Sequence, residues 1–199
     1  MLMNQIATNE IIGKFQGWWN QAKADPSLKH KGAMCVSTID EFGFPNARFV
    51  DLKAATDDGF TFCTFLDSKK GIEIEQCQKV AQTIWWENIG YQVRIQGRAA
   101  RISRIMANEY WQSRNRDAQL ATLCSSQSQP LISGQMLLSQ LSTLRATFGD
   151  AEIPVPDNWG GYVVEPVSVE FLTFKEDRLH FREHFFRNDK HWNRQLLQP

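Results

Sequence analysis

Apolar residues recur at helical spacing near the N-terminus, where Ile11, Ile12, Phe15, Trp18 and Trp19 share one face. The pattern predicts an amphipathic helix over residues 9–24 that covers part of a core, and Asp25-Pro26 stops it. The period then shortens. Ala33 to Ile39 reads as a strand turning through Asp40-Glu41-Phe42-Gly43. Two β-type runs follow, Arg48 to Lys53 and Phe60 to Phe65, joined around Asp57-Asp58-Gly59, and the three runs together predict an antiparallel meander. A short helix from Ile72 to Gln76 and an apolar run from Val80 to Trp86 come next. Tyr91 to Ile102 alternates, with Gln92, Arg94, Gln96 and Arg98 on one face and Val93, Ile95 and Gly97 on the other.

Ser103 is placed to cap a helix running through Arg114. Leu123 to Pro130, with Ser125, Ser126, Gln127 and Ser128, reads as a polar loop. Ser133 caps a further helix, closed by Gly149, whose Leu137, Leu138, Leu141, Leu144 and Phe148 form an apolar stripe expected in the core. Pro154 and Pro156 mark a loop before strands at Tyr162 to Val164, Val167 to Phe174 and Leu179 to Phe186, so the C-terminal strands span residues 162–187. The expected fold is mainly β with flanking helices, in one domain over residues 1–199.

Composition narrows the partners. With 199 residues and 42% hydrophobic content the chain can bury a full core. Lys plus Arg and Asp plus Glu each number 22, so no global field favours nucleic acid or an anionic membrane, and a small-molecule partner is expected. No apolar run reaches the roughly 18 residues of a membrane span, and Met1 to Glu10 lacks the basic and apolar blocks of a leader. Cys35, Cys63, Cys77 and Cys124 show no paired spacing, which points to reduced thiols and a cytoplasmic setting.

The most chemically loaded stretch follows the meander. Ser68-Lys69-Lys70-Gly71 opens a helix, where Ser68 can cap and the free N–H groups carry partial positive charge. Arg48 and Lys53 bring two more cations from the preceding strand, although basic residues on a strand edge also serve to suppress aggregation. Tyr110 and Arg114, four residues apart, share a helical face and could clamp a phosphate, or pair simply as a cation resting on an aromatic ring. On the last strand Arg178, His180, Arg182 and His184 form one row by alternation, a costly set to bury without an anion. His180-Phe181-Arg182-Glu183-His184 also fits the H-x-x-E-H zinc pattern. That motif needs a helix to bring its histidines together, whereas on a strand they stand about 13 Å apart, so no metal site is expected.

Taken together these stretches resemble the pyridoxamine (pyridoxine) 5'-phosphate oxidase family over nearly the whole chain. The specific pieces are Arg48 to Lys53, Phe62 to Thr64, Ser68-Lys69-Lys70-Gly71, Gln92-Val93, Tyr110 with Ser113-Arg114, Gln127-Ser128, Trp159-Gly160-Gly161 and Arg178-Leu179-His180. The resemblance implies an antiparallel split β-barrel that binds FMN and works as a homodimer with two FMN sites at the subunit interface. It implies an oxidase of pyridoxamine or pyridoxine 5'-phosphate, in which hydride passes from the substrate's C4' carbon to flavin N5 and O2 reoxidises the flavin. By matching position, Arg48, Lys69 and Lys70 would hold the FMN phosphate, with Thr64, Gln92, Gln127, Ser128 and Arg182 completing the flavin site. Lys53, Tyr110 and Arg114 would hold the substrate phosphate, and Arg178 and His180 would position the substrate ring. Strict alternation puts Arg48 and Lys53 on opposite faces, so serving adjacent phosphates requires a bulge or a site at the sheet's edge.

The chain departs from the family pattern at Ala118, where a serine is expected, at Leu172 for a tryptophan, at Phe181 for an aspartate, at Leu196 for an arginine and at Lys69 for an arginine. Lys69 keeps charge without the bidentate fork. These differences leave two further readings open on the same scaffold: an oxidase acting on another ring, of the phenazine-forming type, and an FMN-binding module without oxidase activity.

Overall fold

The computed structural model describes residues 6–189 and 191–199; Met1 to Gln5, part of the stretch read above for a leader, lies outside them. Helix α1 (Thr8–Ala24) is followed by strands β1 (Ala33–Ile39), β2 (Pro45–Thr56) and β3 (Gly59–Phe65), then α2 (Lys69–Gln76), β4 (Lys79–Trp86) and β5 (Tyr91–Arg101). A short 3-10 turn at Glu87–Ile89 links the last two. Helices α3 (Arg104–Gln112), α4 (Arg116–Cys124) and α5 (Gly134–Phe148) precede β6 (Trp159–Thr173), β7 (Phe181–Asn188) and β8 (His191–Leu197). The strands form one antiparallel sheet in the order β3-β2-β1-β4-β5-β6-β7-β8, and pairing of β3 with β6 closes the first six into a barrel.

The meander arises where alternation and the Asp57-Asp58 turn place it, with Gly59 at φ 128°. Inward residues of the barrel strands, Met34, Val36, Phe60, Phe62, Ile84, Val93, Ile95 and Val164 among them, are buried. Helix α1 covers one opening with the predicted face. Phe15 meets Phe60 edge-on at 4.9 Å and Trp18 stacks on Tyr91 at 4.1 Å. The indoles of Trp19 and Trp86 both donate to the Lys31 carbonyl at 3.0 Å, which fixes the chain leaving α1.

Strand β6 is one element of 15 residues rather than the two expected. Pro166, which has no N–H to give a ladder, sits opposite Gly97 where the β5–β6 register shifts, and the bulge lets the strand pass through it. Its first half closes the barrel and its second half carries β7 and the unforeseen β8. Strand β7 starts at Phe181, later than expected, so Arg178 and His180 belong to the preceding turn and the continuous row of four basic side chains is not formed. Among the four, only Arg182 and His184 share a strand face, and H-x-x-E-H falls on a turn and a strand.

A second apolar cluster, built on Phe65, Ala107, Trp111, Leu120, Ile153 and Trp159, joins α3, α4 and α5 to the barrel end. Helix α4 was missing from the sequence-based expectation, which ran α3 on to Arg114. In the structure Asn115 caps a new helix by accepting from Ala118 N at 2.8 Å. The α5 stripe is also corrected: no residue of α5 is buried, Leu138 is exposed, and only Leu141, Leu144 and Phe148 pack partly on this cluster. A helix on the outside of a barrel needs only a narrow apolar seam. The Arg104 guanidinium donates to the carbonyls of Val155, Pro156, Asp157 and Trp159, pinning the loop that delivers Trp159.

Candidate functional site

Strands β2 and β3 separate partway along their length. They pair only from Leu52 to Thr56, so among the described residues Pro45 to Asp51 of β2 is bonded to β1 alone and presents a free edge. The split opens a cleft of about 790 Å³. Its walls are the β2 edge with Arg48 and Lys53, the end of β3 with Cys63 and Thr64, the start of α2 with Lys69 and Lys70, the α3–α4 link with Arg114, and the loop after α4 with Gln127 and Ser128. The register between β2 and β3 slips between Leu52 and Ala54, so Lys53 sits on a bulge. Edge and bulge together bring Arg48 and Lys53 into one cleft despite their opposite parity, resolving the geometric conflict noted above.

The corner at α2 is built locally. Ser68 has extended backbone and its hydroxyl accepts from Gly71 N at 3.4 Å, a capped helix start. Gly71 is required by crowding, because a Cβ there would lie 2.2 Å from the Leu66 carbonyl oxygen and 2.9 Å from that of Phe65. Gly71→Ala is therefore expected to lower stability by about 1–3 kcal/mol, read as a drop in thermal midpoint; an unchanged midpoint would show that the corner can shift freely.

Lys70 is buried, and its ammonium donates to Gln127 Oε1 at 2.7 Å, Thr64 Oγ1 at 3.0 Å and Ser68 Oγ at 3.2 Å. All three partners are neutral. Burial, with Arg48 close by and Glu73 opposing, pulls its pKa down to about 8. A buried ammonium whose direct partners are all neutral, at a capped helix start, has the electrostatics of an anion site. Gln127 is presented by a turn in which Gln129 N donates to Ser126 O at 3.1 Å, with Ser128 held at φ 71°, a left-handed backbone that costs a non-glycine residue roughly 1–2 kcal/mol.

Arg48, Lys69 and Lys53 are committed to carboxylates. Arg48 pairs with Glu73 at 3.0 Å and also donates to Thr38, Lys69 lies 3.8 Å from Glu73, and Lys53 pairs with Asp51 at 2.7 Å. At the opposite wall Arg114 lies over the Trp159 ring at 4.7 Å and donates to Ala118 O at 3.2 Å and Thr122 Oγ1 at 3.0 Å. Cys63 lies between, its thiol pushed up to about 11 by burial and so protonated near neutrality. Tyr110 does not line the cleft; burial raises its hydroxyl pKa, with Cys63 the next contributor.

Gln92, Arg178, His180 and Arg182 do not line the cleft either. Gln92 pairs with Leu172, and Leu172 with Arg182, so these three form a row across the outer face of β5, β6 and β7. Arg182 donates to Glu170 at 2.8 Å and to Gln198 O at 2.9 Å. Arg178 occupies the β6–β7 turn at φ 65°. His180 Nδ1 accepts from Lys175 N at 3.1 Å, which leaves Nε2 as the protonated, donating nitrogen when the ring is neutral. The sequence-derived site thus divides into a group gathered in the cleft and a group on a separate outer surface.

Sequence reasoning missed Glu73, Asp51, Cys63 and Trp159 as neighbours of the site. The spacing of Lys69 and Glu73, one helical turn apart, was the available signal for the first of them.

Residues 21–148 match the family described as Pyridoxamine 5'-phosphate oxidase, and residues 159–199 match the Pyridoxine 5'-phosphate oxidase C-terminal dimerisation region. A curated Pyridoxine/pyridoxamine 5'-phosphate oxidase of Shewanella frigidimarina is 38% identical over 185 residues, covering 93% of this chain and 87% of that protein. One from Hydrogenovibrio crunogenus is 39% identical over 196 residues, covering 98% and 91%. Among solved structures, PhzG from Burkholderia lata in complex with tetrahydrophenazine-1-carboxylic acid superposes with a TM-score of 0.86 at 25% identity, covering 97% of this chain and 93% of that one. A pyridoxamine 5'-phosphate oxidase-related, FMN binding protein from Nostoc punctiforme shares the fold at a TM-score of 0.76 and 18% identity, covering 94% and 96%. On matches that span both the cleft-forming barrel and the strands behind it, the chain belongs to the pyridoxamine 5'-phosphate oxidase family.

Proposed function

We propose that the protein is an FMN-dependent oxidase that converts pyridoxamine or pyridoxine 5'-phosphate to pyridoxal 5'-phosphate with O2, working as a homodimer in the cytoplasm. The observation that carries this reading is Lys70: a buried ammonium with three neutral partners at a Ser68-capped helix start, in one cleft with Arg48, Lys53 and Arg114. A phosphate monoester, close to a dianion at neutral pH, supplies the missing charge. FMN, when bound, supplies the two-electron oxidation at the substrate's C4' carbon.

The residues of this chain have positioning roles. Lys70, Arg48 and Lys69 hold the FMN phosphate, and Thr64, Gln127 and Ser128 line its approach. Lys53 and Arg114 face the substrate phosphate, with Tyr110 behind them near Cys63. Lys69, half exposed and single-pronged, contributes charge rather than a bidentate grip. Gln92, Arg182, Arg178 and His180 complete the site from the partner subunit, consistent with their place outside the cleft of their own chain and within or beside the matched dimerisation region. His180 donates through Nε2, and Arg178 brings a cation over the substrate ring. Four free cysteines fit a reducing compartment.

The test is direct. The purified protein should carry a flavin spectrum and release peroxide when pyridoxamine 5'-phosphate is added in air. A colourless protein that takes up no FMN would end the proposal. A second reading, oxidation of a different ring, is favoured by Ala118 on the cleft wall without a hydroxyl and by Asp51 already occupying Lys53. It predicts bound FMN with no turnover of either vitamin phosphate.

A further inference from the structure

Beneath the phosphate corner lies a carboxylate that anion binding does not call for. Glu73, on α2, is 3% exposed. Its carboxylate accepts from Asn46 Nδ2 at 2.7 Å, from the Arg48 guanidinium at 3.0 Å and from the Thr38 hydroxyl, and the Lys69 ammonium lies 3.8 Å away. Every one of these neighbours is a donor, so the carboxylate is fully paired. A buried carboxylate is costly unless fully paired, and this one is paired by the same two side chains that the cofactor's phosphate would use. Among the described residues Lys70, three positions before Glu73, has no such partner. Three cations and one carboxylate leave two net positive charges in the corner, the complement of a phosphate monoester dianion.

We propose that Glu73 is a built-in counter-ion of the cofactor corner, a residue that sets FMN affinity by competing with the phosphate for Arg48 and Lys69. It keeps the corner neutralised enough to fold without ligand, and it lowers the grip on the phosphate relative to a corner lacking it. The inference rests on the FMN reading above and adds to it that phosphate recognition falls mainly on Lys70.

The experiment compares FMN with riboflavin, which lacks the phosphate, by flavin fluorescence quenching on full-length apoprotein. Wild type should prefer FMN; no preference would overturn the phosphate reading itself, separately from the role of Glu73. Glu73→Gln should raise the ratio of FMN to riboflavin affinity by about tenfold at low salt, with the gain shrinking as salt rises, and should lower the thermal midpoint of the apoprotein. A ratio that is unchanged or lower, with or without loss of stability, overturns the proposal, because a purely structural carboxylate would not change phosphate discrimination. Should that variant not fold, Lys69→Gln is the second probe, on a side chain that is half exposed. An ammonium already satisfied by Glu73 should change the ratio by less than about threefold; a loss of tenfold or more would overturn the counter-ion role.

Discussion

Lys70→Met is expected to lower FMN affinity by roughly two orders of magnitude, while leaving the thermal midpoint of the apoprotein at or above that of wild type. The two effects have one cause. In the apoprotein the ammonium is buried against Gln127, Thr64 and Ser68, with its pKa pulled down to about 8, so replacing it by an apolar chain of similar length removes an unfavourable burial. In the complex, the same change leaves the phosphate without its buried partner, a loss of about 2–5 kcal/mol. The pH dependence carries a definite sign. A bound phosphate stabilises the ammonium, so the pKa of Lys70 is higher in the complex than the value near 8 in the free protein, and binding above that pH takes up a proton. FMN affinity should therefore be level just below pH 8 and fall as pH rises beyond it, by up to about tenfold per unit. Riboflavin affinity should stay flat over the same range, and the Lys70→Met variant should lose the slope. Titration of the apoprotein with both flavins between pH 7 and 10 measures all three. A wild-type FMN affinity that rises with pH would contradict the assignment of Lys70.

The sequence carried the barrel well because its signals were local. The α1 face, the Asp57-Asp58 turn and the caps at Ser68, Ser103 and Ser133 all formed where residue chemistry placed them. The parts that escaped it were set by distant partners. The Pro166 break was absorbed by a bulge opposite Gly97, and β8 owes its existence to pairing with β7 rather than to alternation of its own. The α5 stripe looked like core because periodicity reports an apolar face without saying how deeply it is buried. At the site, the cations could be named from sequence, and even the Arg48–Lys53 parity conflict pointed to the bulge that the structure has. Their counter-ions were harder to name: Lys69 and Glu73 stand one helical turn apart, but the contact of Glu73 with Arg48 crosses elements, and the pairing of Asp51 with Lys53 is made at the free edge of β2. Sequence alone also gave no sign that Arg178 and His180 stand apart from the cleft; that follows from a turn, with Arg178 in the left-handed region, which strand alternation does not anticipate.

That separation leads to the second large expectation. Arg178→Ala should reduce kcat/KM for pyridoxamine 5'-phosphate by about a hundredfold or more while changing FMN affinity by less than about threefold, since Arg178 does not line the cleft that holds Lys70. Equal losses in both would contradict the assigned role. The dimer makes a sharper test available. If Arg178 serves the cleft of the partner subunit, then Arg178→Ala and Lys70→Met damage different halves of a shared site. In a mixed dimer the cleft of the Arg178→Ala chain, with its own Lys70 intact, faces the intact Arg178 of the Lys70→Met chain, and the second site carries both lesions. At an FMN concentration that loads the wild-type cleft but not the Lys70→Met cleft, both homodimers are nearly inactive, and mixing them under conditions that allow exchange should then restore activity to about half of wild type per mixed dimer, one working site in two. Were Arg178 instead to act on the cleft of its own chain, each site of the mixed dimer would keep one lesion and no activity would return. The two arrangements predict opposite outcomes from the same pair of variants, with peroxide release as the readout.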